Sequence, residues 1–426
     1  MANQNDFIVK YGLVVESTTT ISSTNNLVTT NIVRPPAKPS LDLNFTRSAS
    51  LDPRISFIRA SGASYFNASG SIQMAGLNQP RFNYDPITGQ CLGLLTEPSR
   101  TNLISNSTGF ISLYATGNVV TSTNEISALH INSTVNKHTR NPSSTGDNNV
   151  GYYGISLSSG TMYTASAYVW IPSATTVTSV GITADNTSYT QVNADLTKRN
   201  QWQQIYTTAS TTATVGNAFV LRPNGMVNGG YIYSTCWQVE SVSSYPTSYI
   251  PTSGATVTRA ADQITITGQN FNNFYTQGQG TLFIETYLPG PRTAQSGFMA
   301  ALYRSSTDYI GMQYIAAVGW YTGTNYCSFN GTAIQTDTVA GANANYNRIN
   351  KTAVTYDSTG FTAVHDGATY FTPAGSFVGI PLVTQLSLGG RAGSGSDFAG
   401  QGSIRKVTYW PQKLSTATLQ MITGIV

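Results

Sequence analysis

The chain has 426 residues, of which only 9% are charged, whereas an ordinary soluble protein carries roughly 25%. It contains 45 Ser, 59 Thr and 33 Asn, about a third of all residues, yet it is 40% hydrophobic and 11% aromatic. These values exclude a disordered chain and a helical bundle, and a net charge of +4 without any Lys/Arg run excludes phosphate-rich partners such as nucleic acid. The composition is typical of short strands joined by tight turns.

Residues 1–40 predict an extended N-terminal arm that ends in a Pro-rich linker. Apolar residues of the arm lie in an alternating stretch and have no obvious hairpin partner, so we expect them to pair with another subunit or with the structure that carries the protein. These anchoring residues are Phe7, Ile8, Val9, Leu13, Val14 and Val15. The start lacks the basic and apolar regions of a signal peptide, and the chain has no apolar run of about 18 residues. This predicts synthesis in the cytoplasm without membrane insertion.

Three further segments follow the arm. Residues 41–103 are dense in turn signals such as Asp52-Pro53 and Asp85-Pro86 and are predicted to form a loop-rich connector. Residues 104–260 show closely spaced alternating segments that predict an antiparallel sandwich. Residues 261–426 repeat this pattern and predict a second sandwich with one short helix near Leu414, capped by Ser415. The fold class is therefore all-β, with several antiparallel β-sandwich domains.

Two stretches are more specific than composition. The first, Arg81–Leu103 (RFNYDPITGQCLGLLTEPSRTNL), resembles a segment of the form RFDYDPxTGxxxGLLxExxRTNL that recurs in bacteriophage virion proteins. The second, Tyr245–Asp262 (YPTSYIPTSGATVTRAAD), resembles the segment that commonly follows it in those proteins. We call them the Arg81 segment and the Tyr245 segment.

The two predicted sandwich segments also resemble known domains. Residues 104–243, which end in Gln238-Val-Glu240, resemble a jelly-roll carbohydrate-binding module. The sequence after Gly278 resembles a concanavalin A-like, laminin-G-type lectin domain, on Leu386–Arg391, Phe398–Gly400 and Ile404–Tyr409. The resemblance implies a virion surface protein of the tail-fibre, head-fibre or decoration type, homo-oligomeric and often trimeric. Its implied partners are other virion proteins, bound through the arm, and a host-surface glycan.

The ionisable residues do not predict an enzyme. A glycosidase needs a pair of carboxylates, but the chain has only five Glu (16, 97, 125, 240 and 285) and none lies in an E-x-D-x-E strand. His365-Asp366-Gly367 is typical of a turn, His130 and His138 lie in a polar region, and Lys137–Arg140 is expected to be a solvated loop. The prediction is therefore a protein without catalytic activity.

Binding chemistry is better represented. Sugars stack on aromatic rings, and their hydroxyl groups donate hydrogen bonds to amide side chains or accept hydrogen bonds from them. We predict an exposed aromatic loop at Gly319–Asn325, with Trp320, Tyr321, Asn325 and the following Tyr326 as sugar-contact residues, while burial of Trp320 in the sandwich core is the alternative. The tryptophans at 170, 202 and 237 lie in strand-like segments and are expected in the core.

Three smaller features complete the sequence predictions. The Gly-rich stretch 389–397 is expected to be a plain connection, and the alternative is a calcium site with Asp397 as a ligand. No other cofactor is expected. Arg81, Arg100 and Glu97 are predicted to form a buried ion pair that joins the connector to the next domain. The three cysteines lack metal-site spacing and are expected as free thiols.

The predicted function is that of a bacteriophage structural protein, exposed on the virion as a fibre or adhesin that contacts host-surface glycans. Two alternatives remain open. The sandwiches could be purely structural modules of a capsid or tail decoration, or the protein could be a glycan depolymerase. Fold alone does not separate these functions.

Overall fold

The structure is a computed structural model of the whole chain. The residues it describes are 17–23, 26–32, 38–47, 50–108, 114–115, 119–123, 129–130, 133–142, 150–152, 155–184, 188–210, 215–216, 219–241, 245–290, 297–317, 320–329, 332–338, 346–370, 379–391 and 401–424. The anchoring residues Phe7 to Val15 and the calcium candidate Asp397 lie outside these ranges.

The described residues form 33 strands and two short helices. The strands up to residue 102 are β1 (Ser17–Ser23), β2 (Asn26–Ile32), β3 (Leu41–Asn44), β4 (Ser56–Ile58), β5 (Ala63–Phe66), β6 (Ile72–Ala75), β7 (Phe82–Tyr84), β8 (Cys91–Thr96) and β9 (Arg100–Asn102). Strands β1 and β2 pair as an antiparallel hairpin, with Ser17 opposite Ile32.

The strands from residue 114 to residue 241 are β10 (Tyr114–Ala115), β11 (Val119–Thr123), β12 (Asn136–Arg140), β13 (Val150–Tyr152), β14 (Ser156–Leu157), β15 (Met162–Trp170), β16 (Ser179–Ala184), β17 (Ser188–Val192), β18 (Trp202–Ser210), β19 (Val215–Gly216), β20 (Phe219–Asn224) and β21 (Tyr231–Ser241).

The remaining elements are β22 (Val257–Arg259), β23 (Gln263–Thr267), α1 (Gly268–Asn272), β24 (Gly280–Leu288), β25 (Gly297–Ser305), β26 (Asp308–Ala317), β27 (Trp320–Phe329), β28 (Thr332–Thr338), β29 (Arg348–Asp357), β30 (Gly360–His365), β31 (Ala368–Tyr370), β32 (Gln385–Leu388), β33 (Gly402–Trp410) and α2 (Thr416–Thr423). The Ser415 hydroxyl caps α2 by accepting from the Thr418 amide at 3.2 Å, which confirms the predicted helix start.

Strands β10 to β21 form one sandwich, which we call the inserted sandwich. Its two sheets have the strand orders β11-β12-β21-β15-β18-β17 and β10-β13-β20-β16. The core between them contains Val169, Ile205 and Trp237 from the first sheet and Ile182 and Leu221 from the second. All pairings within these sheets are antiparallel, so the predicted fold class is confirmed here.

A second sandwich is built from two separate stretches of sequence, and we call it the two-part sandwich. One sheet has the order β31-β30-β29-β24-β33-β8-β7, with β3 also paired to β33, and the other has the order β28-β27-β26-β25-β32-β23-β4. Leu41, Leu94, Ile284, Leu302 and Leu386 meet in its core. Each of these antiparallel strands turns one apolar face to the core, which explains why apolar and polar residues alternate in the sequence.

The predicted connector, residues 41–103, is therefore not a separate unit. Strand β24 occupies one edge of β33, and β3 and β8 pair end to end along the other edge. Strand β4 in turn pairs with β23 in the opposite sheet. The turns predicted for this stretch are present. Its strands β3, β4 and β8, however, pair with strands more than 160 residues away, and a local sequence pattern cannot predict such pairing.

The inserted sandwich enters and leaves the two-part sandwich through a short antiparallel pair of strands. Arg100 lies opposite Arg259, and Asn102 lies opposite Val257, in the pairing of β9 with β22. The Asn102 amide fixes this neck to the inserted sandwich by donating to the carbonyl oxygens of Trp237 and Ile250 and accepting from the Val239 amide. The neck thus ties both ends of the insertion to one place.

Two local predictions were wrong. Residues 137–140 are not a loop but lie in β12, where His138 is fully buried and its Nε2 is 2.7 Å from the Ser234 hydroxyl. Burial lowers the pKa of His138 to about 3, so the ring is neutral. Trp320–Phe329 is likewise a strand, β27, paired on both edges, and not an exposed loop. In both places a polar sequence, with glycines in the case of β27, was interpreted as a loop although it forms a strand.

Among the described helices, none has the length and hydrophobicity needed to cross a bilayer.

We predict that Gly93→Ala destabilises the two-part sandwich although residue 93 belongs to the presumed connector. Gly93 has φ +112°, and a Cβ there would lie 2.2 Å from the Ile404 carbonyl oxygen of β33, a backbone atom that cannot move aside. We expect a loss of more than about 2 kcal/mol in urea unfolding of this sandwich. The control is Gly278→Ala, at φ +92° with nothing within 4 Å of the new methyl group. Equal losses in the two variants would contradict the prediction.

Candidate ligand-binding cleft at the junction of the sandwiches

Five charged side chains are buried together where the two sandwiches meet. Asp262 accepts from Arg59 Nη1 at 3.0 Å and from Arg81 Nη2 at 2.5 Å, and Glu97 Oε2 accepts from Arg81 Nη1 at 2.7 Å and Arg259 Nη1 at 2.6 Å. Every one of these side chains is at most 3% exposed. We call this group the buried ionic cluster.

The two recurring segments supply four of the five cluster residues. Arg81 and Glu97 come from the Arg81 segment, and Arg259 and Asp262 come from the Tyr245 segment. The backbone amide of Glu97 also donates to Asp262 Oδ2 at 2.9 Å, which ties the two segments directly. The predicted ion pair between Arg81 and Glu97 is confirmed, and the second guanidinium on Glu97 is that of Arg259.

The charge state of Glu97 is fixed by its neighbours. Burial alone would raise the pKa of this carboxyl, but the guanidinium groups of Arg259 and Arg81 and two hydrogen bonds from Ser248 outweigh it and lower the pKa to about 2. The Ser248 amide and hydroxyl each donate to Glu97 at 2.6 Å. Glu97 is therefore ionised, and both of its oxygens are already occupied.

A cleft that is partly open to solvent lies directly over Glu97, and we call it the junction cleft; its empty space, with the open solvent at its mouth included, is about 560 Å³. Its aromatic lining residues are Tyr65, Phe66, Tyr168, Tyr245 and Tyr249, and its polar ones are Ser64, Asn83, Gln204, Thr247, Ser248 and Gln401, besides Glu97. They come from the β5–β6 hairpin, both sandwiches and the Tyr245 segment.

Packing between the units holds the walls of the cleft in place. The Ser64 hydroxyl donates to the Tyr249 carbonyl at 2.5 Å, and the rings of Phe66 and Tyr168 meet edge to face at 5.9 Å. Opposite them, the Tyr245 ring packs so closely on Gly290 that a Cβ there would lie 1.9 Å from a ring carbon. The hairpin, the inserted sandwich and the two-part sandwich therefore each contribute one wall.

The lining chemistry is that of an uncharged polar ligand. The lining combines five aromatic side chains with amide and hydroxyl groups, of which the Ser64, Thr247 and Ser248 hydroxyls donate to protein acceptors, and its single charged residue, Glu97, is paired with two arginines. A charged ligand would find no unsatisfied countercharge among the described lining residues. A sugar ring matches this lining, because it has apolar C–H faces and hydroxyl groups at its edge.

The sequence-predicted sugar contacts lie together on one strand. Trp320, Tyr321, Asn325 and Tyr326 belong to β27, whose side chains are outside what the structure describes, so their contact with a sugar stays a prediction. No short-range pattern of the sequence indicates the junction cleft, since its residues are scattered from position 64 to position 401.

The remaining ionisable candidates are structural. Asp366 sits in a turn at φ +49°, as predicted, where it accepts from the Lys351 amide at 2.8 Å and from Arg348 at 2.5 Å. Cys91 and Cys236 are free thiols, and burial raises the pKa of Cys236 to about 12. Within the described ranges no three His, Cys, Asp or Glu side chains are grouped as metal ligands.

Comparison with known proteins gives weak structural likenesses. No family model and no curated protein matches the chain. The Ruminococcus gnavus IT-sialidase CBM40 aligns at 17% identity over 35% of this chain and 84% of its own, with a TM-score of 0.28. The NanB sialidase from Streptococcus pneumoniae aligns at 12% identity over 35% of this chain and 24% of its own, with a TM-score of 0.29.

A longer alignment is to a tandem domain. The CBM22-1–CBM22-2 tandem domain of Paenibacillus barcinonensis Xyn10C aligns at 9% identity over 74% of this chain and 98% of its own, with a TM-score of 0.26. TM-scores of this size carry no argument about function. The all-β, multidomain assignment follows from the strand pairings themselves.

We predict that Glu97→Gln lowers the free energy of unfolding by about 3–5 kcal/mol at pH 7, because it leaves two buried guanidinium groups without their shared anion. The control is Glu285→Gln, whose partner Arg405 lies at 2.7 Å in a more exposed pair, and we expect a smaller loss there.

The pH dependence of the same pair of proteins gives a second readout. The folded-state pKa of Glu97, about 2, is below its ordinary value of 4.5, so its contribution is complete above pH 4.5 and disappears as the pH falls toward 2. The difference in unfolding free energy between the wild type and Glu97→Gln, measured in urea, should therefore shrink steadily as the pH falls from 5 toward 2. A constant difference over this range would show that charge pairing at Glu97 is not what stabilises the junction.

Proposed function

We propose that this protein binds uncharged glycans in the junction cleft and works as a fibre or adhesin on the surface of a bacteriophage particle. The observation that carries the binding proposal is the cleft itself, where five aromatic residues and a set of amide and hydroxyl side chains surround a neutralised floor. The fibre part of the proposal rests on the likeness of the Arg81 and Tyr245 segments to recurring segments of virion proteins.

The proposal specifies binding without hydrolysis. Glu97, the carboxylate at the floor of the cleft, is held ionised by two arginines and cannot serve as a general acid near neutral pH. Release of reducing ends from a bound polysaccharide, abolished by loss of one carboxylate, would instead support the depolymerase alternative.

A structural role as capsid or tail decoration is the second candidate, and one observation favours it. Both recurring segments are used to build the buried ionic cluster and the neck, which join domains and are not an exposed site. Segments with this role can recur in proteins whose sandwiches bind no sugar at all.

Substitutions in the cleft test the binding proposal. We expect Tyr65→Ala and Gln204→Ala each to weaken binding of a neutral glycan about tenfold, through loss of a stacking face and of an amide, in glycan-array and calorimetric titrations of the full chain. The matched control is Gln73→Ala, which removes an exposed amide of β6 that does not line the cleft. The sugar contacts predicted at Trp320 and Tyr321 are tested in the same assay, and loss of binding only there would move the site to β27.

The virion proposal predicts that residues 1–34 are needed for assembly, as a homo-oligomer that is trimeric in a fibre, and not for folding. Deletion of these residues should leave a folded protein, because β3 to β33 and both cores lie beyond them. We expect the truncated protein to be absent from purified particles in which the full chain is located by electron microscopy. Normal occupancy by the truncated protein would show that the arm is not the anchor.

A further inference from the structure

A row of aromatic side chains crosses the outer face of the inserted sandwich. In the strand register, Lys137 lies opposite Tyr233, Tyr233 lies opposite Trp170, and Trp170 lies opposite Trp202, so the row crosses β12, β21, β15 and β18. Four adjacent strands span roughly 14 Å. The sequence placed both of these tryptophans in the core, and the structure contradicts that expectation.

The row faces away from the core because its strand neighbours face inward. Val169, Ile205 and Ile232 are completely buried in the sandwich core and alternate with Trp170, Trp202 and Tyr233 along their strands. Trp170 and Trp202 are half-buried, and Trp202 also packs against the apolar cluster of Ile72, Leu129, Cys236 and Tyr249. Tyr233 is buried, with 6% of its surface exposed, so the two indoles are the aromatic residues of the row that present surface to solvent.

The arrangement of the rings limits how a ligand can use them. The indoles of Trp170 and Trp202 meet edge to face, with centroids 5.8 Å apart and planes at 69°. At one end of the row Lys137 Nζ lies 4.3 Å from the centre of the Tyr231 ring, and Tyr231 packs edge to face against Tyr233 at 5.5 Å. The pair of indoles thus offers one ring face as a platform and a second ring as a wall beside it.

The row is continuous with the junction cleft. One register step nearer the junction on the same face, Tyr168 lies opposite Gln204, and both residues line the cleft. The step is two residues along each strand, or roughly 7 Å. A ligand that occupies the cleft therefore reaches the aromatic row without leaving the sheet face.

We propose that the ligand of this protein is a linear, uncharged polysaccharide, whose chain continues from the junction cleft over the indoles of Trp170 and Trp202. This inference rests on the proposed glycan binding in the cleft and extends it from one or two sugar units to an internal stretch of a polymer. A free monosaccharide fills the cleft alone, whereas a longer chain adds stacking contacts with the row.

Chain length is the variable that tests this inference. Calorimetric titration of the full-length protein uses neutral gluco-, xylo- and manno-oligosaccharides of one to about six residues as probes. We expect the affinity of the preferred series to rise with length until the row is filled. Trp170→Ala and Trp202→Ala should each leave monosaccharide binding unchanged and weaken binding of the longest probe about tenfold. Trp170→Phe keeps an aromatic face and should retain most of the affinity.

The outcomes separate the two proposals. Affinity that does not depend on length, or an equal loss at every length in the tryptophan variants, overturns the extended site, while glycan binding stands if Gln204→Ala still weakens it. Absence of binding to every probe and to a glycan array overturns both. Thermal unfolding of each variant, monitored by near-UV circular dichroism, shows whether a loss of affinity reflects loss of the fold. If Trp170→Ala unfolds, the affinities of Trp170→Phe and Trp202→Ala for the longest probe test the inference instead.

Discussion

The junction depends on burying five charges in one place. Each of these groups would be costly to remove from water by itself, and the cost is offset only when every carboxylate meets its guanidinium partners at hydrogen-bond distance. Such a cluster tolerates little displacement, because a shifted partner leaves a buried charge uncompensated. Arg59, Arg81 and Glu97 come from before the insertion, and Arg259 and Asp262 come from after it. The cluster is therefore complete only when both parts of the chain have assembled.

The architecture follows from this requirement. Strand β9 follows shortly after Glu97, and β22 ends at Arg259. The ion pair between Glu97 and Arg259 therefore brings the two ends of the insertion together. The inserted sandwich can then fold around its own core, which shares no residue with the core of the two-part sandwich. The cleft forms where these separately packed bodies meet, and for this reason its walls belong to three different parts of the chain.

The sequence predicted features that depend on local composition and spacing. Strand-rich sandwiches, the Ser415 cap and the turn at Asp366 all follow from short-range patterns. The Arg81–Glu97 pair was predicted because its members are close in sequence, whereas Arg259 was missed because it lies more than 160 residues from Glu97.

Local patterns were also misleading in specific ways. A bulge at Cys236, which has φ +51°, shifts the register between β15 and β21 and turns Trp237 into the core while Tyr233 stays outside. Alternation alone would have put both residues on one face. The sequence likewise read Trp170 and Trp202 as core residues, although the register places them on the outer face beside Tyr233.

The pairing of β3 with β33 also has a mechanical consequence. Leu41 lies opposite Tyr409, so β3, which begins at residue 41, is hydrogen-bonded to β33, which ends at residue 410. A pull applied between residue 38 and residue 412 would load this pair first, and the force would bypass the inserted sandwich altogether. A domain outside the load path keeps its shape under tension, so the outer face of the inserted sandwich would be undisturbed until β3 separates from β33.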